Sequence, residues 1–412
     1  LNSRITCAVL ISLLFSAAPS FAQAPVTMQE AVQRALDHNP VLLASQQNLL
    51  SMKGQEVQAA VRANPNLSFS GDDVTLSANN PASPYSYDFG VNRLFERGQK
   101  RRWRLDSARA TTAQTDAQYH DQIRQVTLQV RQNFTNLLLA KATLKLAQDN
   151  LSSFRHELQI NLDRYNAGDI GKLDYERLDL QLAQFESDET GAEANLVQAS
   201  DQLQTLIGIA QPTRSFDVVG ELVPPSVTMT LPDLEQKALA SRPDYHAAQA
   251  AVRIADANVK LAYANGTTDP TLEGDYQRAA GYNSGGFSVS LPLRIFDRNQ
   301  GNKDTSKYVA QSARFSEVAA QNQVYSDVDQ AFIGYTTSKV LSDRYNGHYL
   351  DEAKDVLSIA QFAYEHGGLA LLDYLSALQD DRTTSLNALN SYAQTWMAIH
   401  QLSTAAATDV VP

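Results

Sequence analysis

The residues able to do chemistry are thinly spread. Seven histidines stand at positions 38, 120, 156, 246, 348, 366 and 400, and no two have metal-ligand spacing. His366 is the one beside a turn glycine, where a solvated turn histidine is the plain reading. Cys7 is the single cysteine, so neither an internal disulfide nor a multi-cysteine zinc site can form. The four methionines do not cluster. There is no Walker-type phosphate loop, no Gly-x-Ser-x-Gly elbow and no Gly-x-Gly-x-x-Gly. Asp380 and Asp381 sit together on a helical arm, as a solvated face would place them. Two carboxylates stand out by their spacing. Asp174 and Asp373 each end a Gly-x-x-x-x-Leu-Asp run, from Gly168 and from Gly367. In the first turn of a helix, such a carboxylate stabilises the positive end of the helix dipole. No catalytic constellation and no cofactor or metal site is expected, so the chain reads as a non-enzyme.

The elements around those residues follow from composition and pattern. The formal charge is −11, from 34 basic and 45 acidic residues, which argues against a nucleic-acid binder. Hydrophobic residues make up 43% of the 412, enough for an ordered protein. Residues 1–22 read as a cleaved signal peptide: Arg4, an apolar run from Ile5 to Phe15, then Ser20 and Ala22 before Gln23. No other run approaches the roughly 18 apolar residues of a membrane-spanning helix, although strands could still cross a membrane.

The chain repeats itself. Ala35-Leu36-Asp37-His38-Asn39-Pro40 matches Ala238-Leu239-Ala240-Ser241-Arg242-Pro243, Asn64-Pro65-Asn66-Leu67 matches Asp269-Pro270-Thr271-Leu272, and Phe95-Glu96-Arg97 matches Phe296-Asp297-Arg298. Tyr165-Asn166-Ala167-Gly168 matches Tyr364-Glu365-His366-Gly367. Residues 23–210 and 230–404 are therefore two structural repeats, joined by the Pro-rich segment 211–229 and followed by a tail, 405–412. Each repeat opens with a helix. In the first, Thr27 and Glu30 form a capping box and the helix runs to about Arg62, where Asn64-Pro65 stops it. In the second it runs from about Thr230 to Asp269-Pro270. Two strands follow in each. Tyr85, Tyr87, Phe89 and Val91 alternate with small or polar residues, as do Phe287, Val289, Leu291 and Leu293. Leu67 and Phe69, and Leu272 and Tyr276, mark the partner strands, with Asn/Pro/Gly/Ser-rich turns at Ala78 to Ser83 and Gly281 to Gly285. Two hairpins cannot close a barrel alone, so a membrane role requires several copies.

A helix of roughly 100 Å, at 1.5 Å per residue, is predicted from about Arg101 to Tyr165. It turns at Ala167-Gly168-Asp169. The returning arm carries Tyr175, Leu178, Leu182, Phe185, Glu189, Ala192, Leu196, Ala199, Leu203 and Leu206 in alternating steps of three and four, a coiled-coil seam. The second repeat turns at Gly367-Gly368, and its return arm carries Leu389, Tyr392, Trp396 and Ile399. Gly168, Gly367 and Gly368 are expected to need backbone angles that glycine adopts freely. The predicted molecule is elongated and mainly α, with β-strands at one end and helical turns at the other.

This layout resembles the TolC-like family of outer-membrane efflux channels over essentially the whole processed chain. The resemblance rests on the duplication, on the two Gly-x-x-x-x-Leu-Asp runs, and on Ser290 to Gly301 (Ser-Leu-Pro-Leu … Phe-Asp-Arg-Asn-Gln-Gly). Phe95 to Arg101 is similar to the heavy-metal, CzcC-like branch. The family fold implies a homotrimer, with a twelve-stranded barrel in the outer membrane, four strands per copy, and a hollow α-helical barrel in the periplasm. Tyr85, Tyr87, Phe89, Val91, Phe287 and Val289 would then face lipid. Acidic residues line the periplasmic aperture of such channels, and the matching positions are Asp174 and Asp373; the acidic residue that follows three positions later in better-known members is Ser376 here. Gly168, Asp169, Gly367 and Gly368 would sit at helical tips that meet a periplasmic membrane-fusion adaptor, itself coupled to an inner-membrane pump of the proton-driven RND type. The implied function is a passive exit channel, for divalent heavy-metal cations in that branch. Export of drugs, small organic molecules or proteins is the alternative within the family, and a soluble periplasmic coiled-coil scaffold is the alternative outside it.

Overall fold

Thr27 opens the first helix as its composition demands. Its hydroxyl accepts from the Glu30 backbone N–H at 3.3 Å, and the Glu30 carboxylate accepts from the Thr27 N–H at 3.0 Å. The computed structural model describes residues 25–72, 86–279 and 281–411. The proposed leader 1–22, Tyr85 and the turn at Ala78 to Ser83 lie outside the described residues. The elements run α1 (Met28–His38), α2 (Pro40–Ala60), β1 (Asn66–Asp72), β2 (Ser86–Leu94), α3 (Lys100–Ala167) and α4 (Lys172–Leu206). The order then recurs as α5 (Leu231–Ser241), α6 (Pro243–Asn265), β3 (Thr271–Ala279), β4 (Tyr282–Ser290), α7 (Gln300–Arg344), a π turn (Tyr345–Tyr349), α8 (Leu350–Glu365) and α9 (Leu371–Ala405).

The opening helix of each repeat is split, contrary to the single helix expected. The breaks fall before Pro40 and Pro243, because the residue preceding a proline is pushed out of the helical region. Asn39 and Arg242 take φ −66°, ψ 120° and φ −69°, ψ 119°. Asn39 then caps α2, accepting from the Val41 N–H at 2.9 Å, and donates to the Leu206 carbonyl at 2.9 Å. β4 ends at Ser290, so Leu291 and Leu293 leave the strand that their alternation suggested. Pro292 between them has no N–H to extend a ladder.

The four strands form one antiparallel sheet in the order β1-β2-β3-β4, so among the described residues β1 and β4 each keep a free edge. The sheet continues into a row of helices: α2 packs on α3, α3 on α6, and α6 on α7. Below, α4 folds back on α3, and α9 on α7 and α8. Every seam residue of α4 from Tyr175 to Leu206 is buried or half-buried, as period-3.5 packing requires. Three apolar clusters hold the frame. One gathers Val26, Val130, Phe134 and Leu203 of the first repeat with Val218 of the connecting segment. A second gathers Leu234, Val328, Tyr335, Ile399 and Leu402 of the second. The third, with Leu151, Phe154, Leu178, Phe185, Tyr364 and Tyr374, draws both helical hairpins together near their tips. Fully burying a side chain of this size contributes about 1.5–3 kcal/mol. The connecting segment 211–229 takes part in this packing. Val218 bridges Val26 in parallel, and both are buried.

Candidate conduit: the sheet faces and the helical tips

Cross-strand register decides which residues share a face, because directly paired residues point the same way. Phe69 pairs with Phe89 and Phe89 with Tyr276; Leu67 pairs with Val91, Val91 with Gly274, and Gly274 with Phe287. Leu272 pairs with Arg93 and with Val289. One face therefore carries Leu67, Phe69, Tyr87, Phe89, Val91, Leu272, Tyr276, Phe287 and Val289. These side chains are exposed, Phe287 at 88% and Phe69 at 61%. Phe69 lies 4.8 Å from Phe89, ring centre to ring centre.

The opposite face is mainly polar and acidic, with Leu94 and Tyr282 at its ends. Ser70 pairs with Asp88, Asp72 with Ser86, Asn92 with Glu273, and Gly90 with Asp275. All four carboxylates of the described strands (Asp72, Asp88, Glu273, Asp275) share this face. Both strand arginines, Arg93 and Arg278, lie on the apolar face, opposite Leu272 and Tyr87. The carboxylates reach across neighbouring strands where glycine leaves room. A Cβ on Gly286 would stand 2.7 Å from Asp275 Oδ1, and one on Gly90 would stand 3.2 Å from Glu273 Oε1. Ser288 donates to Glu273 at 3.3 Å.

At the far end, α3 stops at Gly168, which takes φ +87°, and the Asp169 N–H reaches the Arg164 carbonyl at 2.8 Å. Gly367 takes φ +75°, and the Gly368 N–H reaches the Ala363 carbonyl at 2.7 Å. These are matching Schellman closures. Gly368 itself has no positive φ, so the expectation of a glycine-only angle there is corrected. In this closure the residue after the left-handed position returns to ordinary backbone. Asp174 and Asp373 occupy equivalent first turns of α4 and α9. Asp373 is exposed and Asp174 half-buried. Asp169, Gly168, Gly367 and Gly368 are exposed at the two tips.

Between the hairpins lies a buried polar chain that the sequence patterns did not disclose. Tyr364 donates to Asn161 Oδ1 at 2.9 Å, and Asn161 Nδ2 donates to Glu157 Oε1 at 2.9 Å. Burial pushes the Glu157 carboxyl up, against the hydrogen bond from Asn161. Tyr374 stacks on Tyr364 at 5.1 Å, and burial raises its hydroxyl well above the usual tyrosine range. Arg164 lies over the Tyr364 ring at 5.4 Å. Higher up, Arg242 is buried against Asp244 (2.5 Å) and Asp327 (2.8 Å).

Among the described residues no group of three or more His, Cys, Asp or Glu side chains is placed to hold one metal ion. None of the described helices is long and apolar enough to cross a membrane.

Comparison with known proteins agrees with that geometry. The chain is 27% identical over 383 residues to the cobalt-zinc-cadmium resistance protein CzcC of Cupriavidus metallidurans, covering 92% of this chain and 90% of that one. Its fold superposes on CusC, a transmembrane channel, with a TM-score of 0.80 at 20% identity, covering 92% of this chain and 91% of that one. It superposes on the outer membrane protein VceC of Vibrio cholerae with a TM-score of 0.77 at 18% identity, covering 93% and 97%. The outer membrane efflux protein profile matches twice, over residues 31–209 and 234–405. With both repeats accounted for, the chain belongs to the outer membrane efflux protein family, a family of channels.

Proposed function

We propose that the chain is the outer-membrane exit duct of a tripartite efflux system, and that its cargo is divalent heavy-metal cations. The observation that carries this reading is the segregation of charge across the sheet. Four carboxylates share the polar face, while the apolar face exposes aromatic and branched side chains. A surface of that second kind is stable against hydrocarbon and costly in water. With the apolar face on lipid, Tyr87, Phe89, Val91, Phe287 and Val289 point outward, and Asp72, Asp88, Glu273 and Asp275 point into the lumen. A low-dielectric wall around clustered carboxylates favours cations and repels anions.

One copy cannot enclose a lumen. The free edges of β1 and β4 pair head to tail between neighbours, and three copies close a barrel of twelve strands. The uncovered apolar sides of α2 (Leu43, Leu50, Val57) and α7 (Phe315, Ile333, Val340) stand at the two ends of the helix row, where the same neighbours meet. Asp174 and Asp373 then form carboxylate rings at the periplasmic end. The exposed tips at Gly168, Asp169, Gly367 and Gly368 are the surface for a periplasmic adaptor, which couples the duct to an inner-membrane pump. The heavy-metal cargo is inferred from the relative named for cobalt, zinc and cadmium resistance, together with the acidic lumen.

The test is conductance of the detergent-purified protein in planar bilayers under a salt gradient. A reversal potential of cation-selective sign is expected, and it shrinks when Asp88 and Asp275 are both changed to Asn. Anion selectivity, or a protein that stays soluble and monomeric without detergent, would sink the reading.

A further inference from the structure

Just beyond the strands, aromatic rings and cations gather on one side of the helix row. Trp103 in α3 lies beneath Arg102 (4.9 Å to the ring centre) and Lys260 of α6 (4.8 Å). Tyr263, one turn further along α6, lies beneath Lys303 (5.4 Å) and Lys307 (5.8 Å) of α7. Trp103 and Lys260 border a groove of about 480 Å³ between α3 and α6, with Arg109, Arg253, Asp106 and Asp256 along it. The two carboxylates already have partners: Asp106 has Arg102 at 3.8 Å, and Asp256 has Arg314 at 2.8 Å. Lys260, Arg109 and Arg253 have no carboxylate partner among the described residues, and all three are exposed. The groove has a cation surplus in a chain whose net charge is −11.

The side on which this surplus lies follows from the strands. The β2–β3 pairing continues past the strand ends, with the Phe95 N–H donating to the Pro270 carbonyl at 2.9 Å. Glu96 and Asp269 therefore fall opposite each other, in step with the acidic face. Glu96 holds Arg104 at 2.7 Å, and Asp269 holds Lys100 at 2.5 Å. Arg102 stands two residues from each, which is roughly 160° round the helix. It looks out on the side of the apolar face. Along that side Trp103 lies about 5 Å, and Arg109 about 14 Å, below the start of α3 at 1.5 Å per residue. With a bilayer ~30 Å thick in its hydrocarbon and ~40–45 Å with headgroups, the headgroup layer is about 5–7 Å deep on each side, which takes in Arg102 and Trp103 and leaves Arg109 on its periplasmic side.

We propose that the groove at Trp103 holds the phosphate of an anionic phospholipid headgroup in the periplasmic leaflet, with Arg102 and Lys260 as its cations. The inference rests on the apolar sheet face meeting lipid. Trp and Tyr prefer the headgroup level, where one end is apolar and the other wet. A cation near an anionic leaflet adds about fivefold in affinity; Lys260 has no carboxylate partner among the described residues, and Arg102 shares only an exposed pair with Asp106 at 3.8 Å.

The test uses the full processed chain in detergent, titrated with phosphatidylglycerol or phosphatidylcholine of identical acyl chains and read by native mass spectrometry. Preferential retention of phosphatidylglycerol is expected. Arg102→Gln and Lys260→Gln each lower that retention about fivefold, while Lys145→Gln and Lys172→Gln leave it unchanged. Inorganic phosphate at millimolar concentration does not displace the lipid. A second readout needs no change at the groove: in a Trp396→Phe background, phosphatidylglycerol with a spin-labelled headgroup quenches Trp103 emission more than labelled phosphatidylcholine does. Equal retention of the two lipids, wild-type retention in the glutamine variants, displacement by free phosphate, or equal quenching would overturn the inference. A chain that fails to float with vesicles at all would instead overturn the membrane reading on which it rests.

Discussion

The Tyr364 hydroxyl donates to Asn161 at 2.9 Å across 203 residues of sequence, tying the second helical hairpin to the first near their tips. Both residues are buried, and Asn161 in turn holds Glu157. Tyr364→Phe keeps the ring stack on Tyr374 and removes only the donor. The change leaves the Asn161 oxygen unsatisfied, at a cost of about 1–3 kcal/mol. Thermal unfolding of the purified protein checks the magnitude. Hydrogen exchange checks the place, with faster exchange expected in α8 and the start of α9 and little change at the sheet.

Glu157 gives the same cluster a pH dependence. Its folded pKa is raised, so just above the ordinary glutamate range the folded state binds more protons than the unfolded one. Stability then falls as pH rises from the unfolded value through the folded one. Glu157→Gln can still accept from Asn161 and has no charge to bury. Denaturant titrations from pH 4 to 7 should show the variant gaining on the wild type as pH rises, and a constant difference would count against a buried carboxyl.

The tip glycines separate into two kinds. Gly168 and Gly367 take positive φ and have open space where a side-chain carbon would stand, so alanine meets only backbone strain. That strain is about 1–2 kcal/mol. Gly368 has ordinary φ. Gly168→Ala and Gly367→Ala are expected to lower the melting temperature by a few degrees, and Gly368→Ala to change it far less. Equal losses at all three would contradict the closures described.

Much of this architecture is legible from residue order, and the illegible parts share a physical cause. Periodicity is local, so the period-two strands, the α4 seam and the Thr27–Glu30 capping box appear directly in the sequence. The breaks before Pro40 and Pro243 are also local. The apolar pattern continues across each proline and hides them, and the pre-proline restriction on Asn39 and Arg242 is the signal that reveals them. The acidic face is different. That Asp88 and Glu273 share it depends on the register of β2 against β3, elements nearly two hundred residues apart, and nothing in either strand alone reveals it. The chain Glu157–Asn161–Tyr364 joins the two repeats and is equally invisible to a reading of one repeat at a time. The π turn at Tyr345–Tyr349 has no distinguishing pattern beyond Gly347.

Asp174 and Asp373 test whether equivalent positions share one role. Both lie in a helix's first turn, where a carboxylate contributes about 0.3–1 kcal/mol through the dipole. If that were their whole contribution, Asp174→Asn and Asp373→Asn would each cost this much stability and leave conduction alone. The proposed aperture rings predict a further change, in the ratio of cation to anion permeability. Asp373 is the more exposed of the two, so its loss should weigh more on conduction. Bilayer reversal potentials and unfolding curves for both variants separate the roles. Altered stability with unchanged selectivity in both would reduce these residues to helix starts.

His400 supplies the clearest pH prediction. It is buried beside Thr135 (3.0 Å) and stacked on Trp396 at 5.4 Å. Burial, with the nearby Arg131 adding to it, pushes its pKa down to about 3. The imidazole is therefore neutral in the folded protein while the unfolded chain takes up a proton below the ordinary histidine value of 6.5. The stability that this neutral ring secures is fully present above that value and drains away as pH falls toward 3, at about 1.4 kcal/mol per unit for one proton. Glu157 acts with the opposite sign over part of this range, so the informative quantity is the difference between wild type and His400→Gln. Glutamine cannot take up the proton, and the variant's stability should converge on and then overtake that of the wild type as pH drops from 6.5 to 4. Parallel curves would show that the ring is reached by solvent and titrates normally.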